Sequence, residues 1–293
     1  MGIDYVAVGH FTHDVTPHGP IIGGAASYSS ITVRNLGFRA RVVTTVGRDF
    51  RQDNPLLDYI DVSYRISDST TTFNNIYTYS GRRQQYLLGV ADKIYAEDIP
   101  PEWRTAQIAY LCPVADEVDA SVVNCFPNAL IGATPQGWMR RWNADGKVYP
   151  KKWKSAAEIL PHVDVLVLSE EDIAAFPEEL ERFIELTKIV ILTKGKNGAT
   201  LYTDGKIIES FAYPANEMDP TGAGDVFAAA FLVKYRETHD ILQTLDFAHC
   251  VASFAVEAEG TSGIPTMAQV MQRYNDYAPI LSKTFGVKKR LEV

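Results

Sequence analysis

Four short runs rich in Ile, Val and Leu constrain this chain more than any other feature. They are Gln107–Cys112, Ala129–Ala133, Val163–Leu168 and Ile189–Thr193, and helix-like stretches separate them. Short continuous apolar segments suit strands buried on both faces, as in parallel sheets covered by helices. The alternation predicts an α/β fold with a mainly parallel sheet and helices on both sides. Tyr5–Gly9 and Arg41–Val46 read as two further core strands, with a helix over Ala25–Leu36 between them that Gly37 stops. The stretch from His10 to Gly24, rich in Gly, Pro and His, reads as a loop. Asp204-Gly205, between the apolar segments of Thr200–Phe211, signals a β-hairpin. The last third reads as helices over Gly224–Glu237, Ile241–Glu259 and Thr266–Tyr277.

Val62–Val90 differs in composition. Its Thr, Tyr and polar residues suggest two or three exposed strands, a small β lid inserted at about residues 62–90 after the second core strand. A length of 293 residues suits one large α/β domain or two small ones, with enough chain for a core without staples. With 46% apolar and 22% charged residues, the chain is neither disordered nor collagenous. Against 36 acidic residues stand 28 Lys and Arg, and the resulting charge of −8 argues against a broad nucleic-acid surface. Cys112, Cys125 and Cys250 are odd in number and widely spaced, which predicts reduced thiols and no zinc site. No signal peptide is evident at MGIDYVAVGH, Val6 stands where a myristoylation motif wants Ser or Thr, and no apolar stretch reaches the ~18 residues of a membrane span. These features predict a cytoplasmic protein with no membrane partner.

The chemistry concentrates in Asp219-Pro220-Thr221-Gly222-Ala223-Gly224-Asp225, directly before the helical VFAAAFLVKY. Small residues at a helix N-terminus leave N–H groups approachable, and the helix dipole adds positive potential for phosphate or developing negative charge. Asp225, in the first turn, stands beside that anion hole and can accept a proton from a substrate hydroxyl. An isolated Gly-Ala-Gly-Asp would more often be only a tight helix entry; the seven-residue string is far more specific.

DPTGAGD resembles the C-terminal signature of the PfkB/ribokinase family of sugar and nucleoside kinases. Other segments match in order. Gly23-Gly24, opening the Ala25–Leu36 helix, resembles the substrate-binding diglycine, and Asp14 the carboxylate that grips substrate hydroxyls. TKGKNGATLY at Thr193–Tyr202 resembles the T-x-G-x-x-G nucleotide loop, and Ala248–Pro265 the helix and loop beside adenine. The resemblance implies a single ribokinase-like domain over residues 1–293, a three-layer Rossmann-like sheet with a lid, acting as an ATP-dependent phosphotransferase. Asp225 would be the base, with the Gly222, Ala223 and Gly224 N–H groups as anion hole. Asp14, Gly23 and Gly24 would hold substrate; Thr193, Gly195, Gly198, Thr221 and His249 would meet the nucleotide. VGHFTHDV at Val8–Val15, GGAASYSS at Gly23–Ser30 and TPQGWMRRWNADGKV at Thr134–Val148 resemble inositol kinases, so myo-inositol is the favoured acceptor.

There are departures. Tyr28 stands where ribokinase-like members carry an Asn. Ser169-Glu170-Glu171-Asp172 occupies the place of the family's Asn-x-x-Glu, so Glu170 and Asp172 are the candidates for organising Mg²⁺, while Ser169 equally suits a helix cap. Asp219 and Thr221 with Glu259–Thr261 resemble a monovalent-cation (K⁺) site. His249 equally suits a packed helical residue. Arg82 and Arg83 in the lid, and Lys194 and Lys196 beside the nucleotide loop, read first as solvated charges; Trp138, Trp142 and Trp153 carry no functional expectation. The lid strands would suit a homodimer interface. No Walker A motif, HRD/DFG pair or Gly-x-Gly-x-x-Gly after the first strand occurs, which argues against a P-loop enzyme, a protein kinase and a dinucleotide oxidoreductase. A ribose or nucleoside kinase, and a non-catalytic binding protein on the same fold, stay open.

Overall fold

The computed structural model describes residues 4–51, 53–77 and 83–285. Strand β1 (Asp4–Val8) leads into a hairpin, β2 (Thr12–Thr16) and β3 (Gly19–Gly23), and then helix α1 (Ala25–Asn35). Next come β4 (Arg39–Gly47), β5 (Ile60–Ser67), β6 (Thr71–Tyr77), β7 (Arg83–Gly89), β8 (Ile108–Leu111) and β9 (Leu130–Ala133). A small hairpin, β10 (Arg140–Trp142) and β11 (Val148–Pro150), precedes the short helix α2 (Ala156–Ile159). Strand β12 (Val165–Ser169) runs into α3 (Glu170–Ile173) and α4 (Glu179–Leu186). The pair β13 (Ile189–Thr193) and β14 (Ala199–Thr203) is followed by β15 (Lys206–Ser210). Helices α5 (Ala223–Thr238), α6 (Ile241–Ala255) and α7 (Met267–Phe285) complete the order.

The expected α/β architecture is present. Among the described residues nine strands form one sheet in the order β15-β14-β13-β12-β9-β8-β1-β4-β5, parallel from β13 to β5 and antiparallel over β14 and β15. Both faces are buried, because side chains alternate along each strand. Tyr5, Ala7 and Tyr110 enter the core shared with α1, α5 and α6, while Val6, Val8 and Leu111 enter the one built on Trp138, Trp153 and Phe183. Helix α5 is buried continuously from Val226 to Val233, as befits a helix that is apolar all round. The Asp204-Gly205 turn has positive φ at both residues, the geometry that a two-residue hairpin demands. Helix α6 ends at Ala255 rather than Glu259, since Gly260–Gly263 form a separate 3₁₀ turn. The three cysteines are buried and unpaired.

A second sheet, in the order β3-β2-β6-β7, stands over one end of the first. It corrects two expectations. Residues 62–67 are not lid: β5 pairs in parallel with β4 from Ala40↔Ile60 to Gly47↔Ser67. An edge strand keeps one side open, and that exposure gives it a lid-like composition. Conversely, His10–Gly24 is not simply loop, because it contributes β2 and β3. These strands escaped notice because β2 carries His, Asp and Thr for a polar environment instead of an apolar alternation. The pairings Asp14↔Phe73, Phe73↔Leu87 and Asn75↔Gln85 put these five residues on one face of the lid. The hairpin β10–β11 docks against β7, where Leu87 N–H donates to Gly146 O at 2.8 Å. Arg82 lies outside the described residues, and of Arg83 only the backbone, paired with Tyr77, is described.

Candidate active site

The site forms where the α5 N-terminus meets the lid. Gly222 caps α5 with φ +76°, and the Tyr28 ring occupies the place where its Cβ would stand. Both the left-handed backbone and that contact demand glycine. The first N–H groups of a helix lack intrahelical acceptors. Ala223 already donates to Pro220 O at 3.2 Å, which removes it from the expected trio, whereas Gly224 is exposed and faces open space.

Asp225 is the third residue of α5 and half-buried. Its Oδ1 lies 3.1 Å from the Tyr110 hydroxyl, which in turn lies 3.1 Å from Thr134 Oγ1. A carboxylate can only accept, so the Tyr110 proton goes to Asp225 and Thr134 donates to Tyr110. Burial pushes the Asp225 carboxyl up to about 7; the Tyr110 hydrogen bond pulls it down, Asp172 raises it and the Arg140 guanidinium lowers it. That value lies where a general base works at neutral pH.

Asp14, on β2, lies close enough to act on the hydroxyl of Tyr28, whose ring packs on Gly222. A Cβ on Gly23 would collide with the Asp14 carboxylate, so the first glycine of the diglycine makes room for it. Gly24 N-caps α1. Asp14, Asp219 and Asp225 all act on the Tyr28 hydroxyl and, with burial as the larger cause, raise its pKa. Arg140 places positive charge among these acids. Its guanidinium stacks 5.6 Å from the Phe73 ring on the lid and donates to Val114 O at 3.1 Å. Stacked, buried Trp138 and Trp153, with centroids 4.5 Å apart, anchor the segment leading to Arg140; Trp142 is exposed.

In the expected nucleotide loop, Thr193 ends β13 and Gly195 sits in an exposed 3₁₀ turn. Gly198 backs onto Ser210 of β15. Lys194 pairs with Glu209 at 3.2 Å, while Lys196 is exposed. His249 is not offered to a ligand. It is buried 4.9 Å from Phe227 and its Nε2 lies 2.9 Å from Ser210 Oγ, which itself donates to Ala199 O. Burial pushes its pKa down to about 4, so it is a neutral packed residue.

Ser169 and Asp172 form a capping box. Asp172 Oδ2 accepts from Ser169 N and Oγ, both at 2.8 Å, and its other oxygen meets Gln136 only at 3.4 Å. Glu170 is exposed. Among the described residues no three His, Cys, Asp or Glu cluster as metal ligands. Mg²⁺ needs only one or two carboxylates when substrate phosphates and water complete its shell, and Asp172 Oδ1 fits that demand. Asp219 joins the expected cation group: its two oxygens accept from Thr221 N (2.9 Å) and Gly260 N (3.0 Å), so both are engaged by backbone.

Sequence reasoning did not single out Tyr110, Thr134, Gln136, Arg140, Phe73, Asn75 or Gln85. A Tyr inside the apolar run Ile108–Leu111 was the available signal for the first, and Arg140 lay within a segment noted only for its resemblance. The model of the pfkB family of carbohydrate kinases matches residues 20–267. A nucleoside kinase of Methanocaldococcus jannaschii is 27% identical, covering 86% of this chain and 84% of its own. An inositol 3-kinase of Zea mays is 26% identical over 78% of this chain and 66% of its own. A pyrophosphate-dependent kinase in the ribokinase family, solved with a pyrophosphate analog and myo-inositol, superposes with a TM-score of 0.76 at 22% identity, covering 92% of this chain and 99% of that one. No helix among the described residues is long and apolar enough to cross a membrane. With most of its length matched by the family model, the chain belongs to the pfkB carbohydrate kinases and is a phosphotransferase.

Proposed function

We propose that the chain is an ATP-dependent kinase that phosphorylates one hydroxyl of a small polyol or sugar, with myo-inositol the favoured acceptor. The observation that carries this reading is Asp225: a half-buried carboxyl pushed up to about 7, one residue beyond an exposed helix-end glycine. The acceptor hydroxyl gives its proton to Asp225 as its oxygen attacks the γ-phosphorus of ATP, and the bond from that phosphorus to the bridging oxygen breaks, so that ADP leaves with the electron pair. The N–H groups of Gly222 and Gly224 meet the charge on the transferring phosphoryl oxygens. Tyr110 orients the Asp225 carboxylate. Asp14 and the Gly23-Gly24 entry hold further acceptor hydroxyls, and the lid closes over them to exclude water. Mg²⁺ beside Asp172, when bound, supplies positive charge to the donor phosphates.

Two features favour a hydroxyl-rich acceptor. Asn75 and Gln85, whose side chains bond at 3.0 Å, share the lid face of Asp14, and Phe73 on that face is already stacked by Arg140. A nucleoside acceptor is the second reading, favoured by the similarity to the archaeal nucleoside kinase. Exposed Val15, Ile76 and Leu88 on the lid suit a homodimer. A cytoplasmic setting accords with three buried free thiols. K⁺ dependence through the Asp219 region belongs to the same proposal.

The test is ADP release from ATP and Mg²⁺ with myo-inositol, ribose and cytidine, in K⁺ or Na⁺ buffer, with a parallel arm that reads phosphate release from pyrophosphate as donor. Turnover on myo-inositol supports the reading. Turnover on cytidine alone replaces it with the second reading, and donor binding without turnover on any acceptor leaves a binding protein.

A further inference from the structure

The chain crosses between the main sheet and the lid at four places: before β2, after β3, before β6 and after β7. Three of these crossings meet on the fully buried imidazole of His10. His10 itself lies between β1 and β2. Its Nδ1 is 2.7 Å from the hydroxyl of Thr71, the first residue of β6. Its Nε2 is 3.0 Å from Asp92 O, just past β7, and 2.7 Å from the hydroxyl of Thr45 on β4 of the main sheet.

The protons can be placed. A carbonyl oxygen only accepts, so Asp92 O requires the ring proton on Nε2; in the neutral ring Nδ1 then accepts from the Thr71 hydroxyl, which itself accepts from Ala91 N–H at 3.0 Å. The Nε2 proton then goes to Asp92 O and Thr45. Every arm is satisfied by the neutral ring, which burial favours by lowering the pKa of His10.

Buried Glu117 extends this hub to the site. It accepts from His10 N at 3.0 Å, from Val114 N at 2.9 Å and from Ala115 N at 2.7 Å. Val114 O in turn anchors Arg140, whose guanidinium stacks on Phe73 two residues beyond Thr71. The chain of contacts thus leaves the lid at its root and returns to it beside Asp225.

We propose that His10 is the hinge pin of the lid, a positioning residue that fixes the lid crossings to β4 and Glu117 and so sets Asp14 and Phe73 against Arg140 and Asp225. It touches neither substrate nor donor. Its effect on acceptor use rests on the kinase reading above; its effect on the lid does not.

The experiment pairs His10→Leu with His10→Gln in the full chain. Gln can accept from Thr71 and donate to Asp92 O; Leu can do neither. In His10→Leu, amides of β6 and β7 should exchange with deuterium at least about tenfold faster while those of β8 and β12 keep their protection. Its kcat/KM for myo-inositol should fall by about 10- to 100-fold, as misplacing a site by an ångström does, with the KM for ATP within about twofold. His10→Gln should recover most of both losses. Thr71→Val, which removes one arm and spares the ring, should shift lid exchange the same way by less, and serves if His10→Leu does not fold. Unchanged lid exchange in these variants, a Gln variant no better than Leu, or donor and acceptor KM rising together would overturn the proposal. Exchange is read without substrate. Faster lid exchange alongside a wild type that turns over none of myo-inositol, ribose or cytidine would therefore keep the hinge and overturn both the acceptor reading proposed above and the proposed effect on acceptor use.

Discussion

The two sides of this site are built differently. The proposed anion hole and base come from seven consecutive residues, Asp219–Asp225, at the mouth of a helix that is buried continuously from Val226 to Val233. The proposed acceptor side is assembled from β2, the start of α1, β6 and β10, segments spread from residue 12 to residue 142. Local chemistry thus sits on a rigid element, while recognition sits on a sheet whose register depends on long-range contacts such as His10 to Thr71. Rigid elements hold a reacting group more accurately than loops do. A lid held at its root can still move, and motion is what an acceptor needs to enter and leave.

Substitutions can test whether the two sides fail differently. Asp225→Asn should give the largest effect, lowering kcat by about 10²–10⁴ with ATP affinity kept; equal loss of ATP binding would show that the base and donor regions are not separable. Gly23→Val drives a branched side chain into Asp14, and its acceptor KM should rise by about a hundredfold with donor KM unchanged. A parallel rise in donor KM would blur the division. Arg140→Ala should cost about tenfold in acceptor kcat/KM. It should also move the acidic limb of the pH profile upward, because Arg140 favours the charged form of Asp225. A limb that stays in place would separate Arg140 from the base.

Smaller effects concern stability. Folding raises the Asp225 pKa from 3.8 to about 7, so the unfolded chain releases this proton first. Stability is therefore lost as pH climbs through that window and stays lower above it. Asp225→Asn lacks this penalty and should be more stable than wild type at pH 8 by about 1–3 kcal/mol, read by urea unfolding. A less stable variant would mean that Tyr110 favours the carboxylate more than burial disfavours it. Last, His249→Asn should change the KM for ATP less than about threefold while lowering Tm, as loss of a buried packed ring does. A large rise in donor KM would return His249 to the nucleotide site.

Legibility in the sequence follows the same division. Buried parallel strands announce themselves as apolar runs, and β8, β9, β12 and β13 fall within a residue or two of where the pattern puts them. DPTGAGD is contiguous, so both the helix end and its acid could be read directly. The lid could not. Edge strand β5 has the composition of a lid strand, and β2 has that of a loop, because its residues line the proposed acceptor site instead of a core. Tyr110 was hidden for the opposite reason: in an apolar run a tyrosine reads as packing, and only the turn of β8 toward α5 brings its hydroxyl to Asp225. His249 shows the limit of position matching, since Ser210 and Phe227 enclose its ring.

The most direct measurement is ADP release by wild type and Asp225→Asn with ATP, Mg²⁺ and myo-inositol across about pH 5 to 9. Wild-type kcat/KM should rise with pH and level off near the value of about 7 that the Asp225 carboxyl holds, and the Asn variant should show almost no turnover at any pH. Near-normal turnover in Asp225→Asn, or a wild-type profile flat through neutrality, would contradict the assignment of Asp225 as the base.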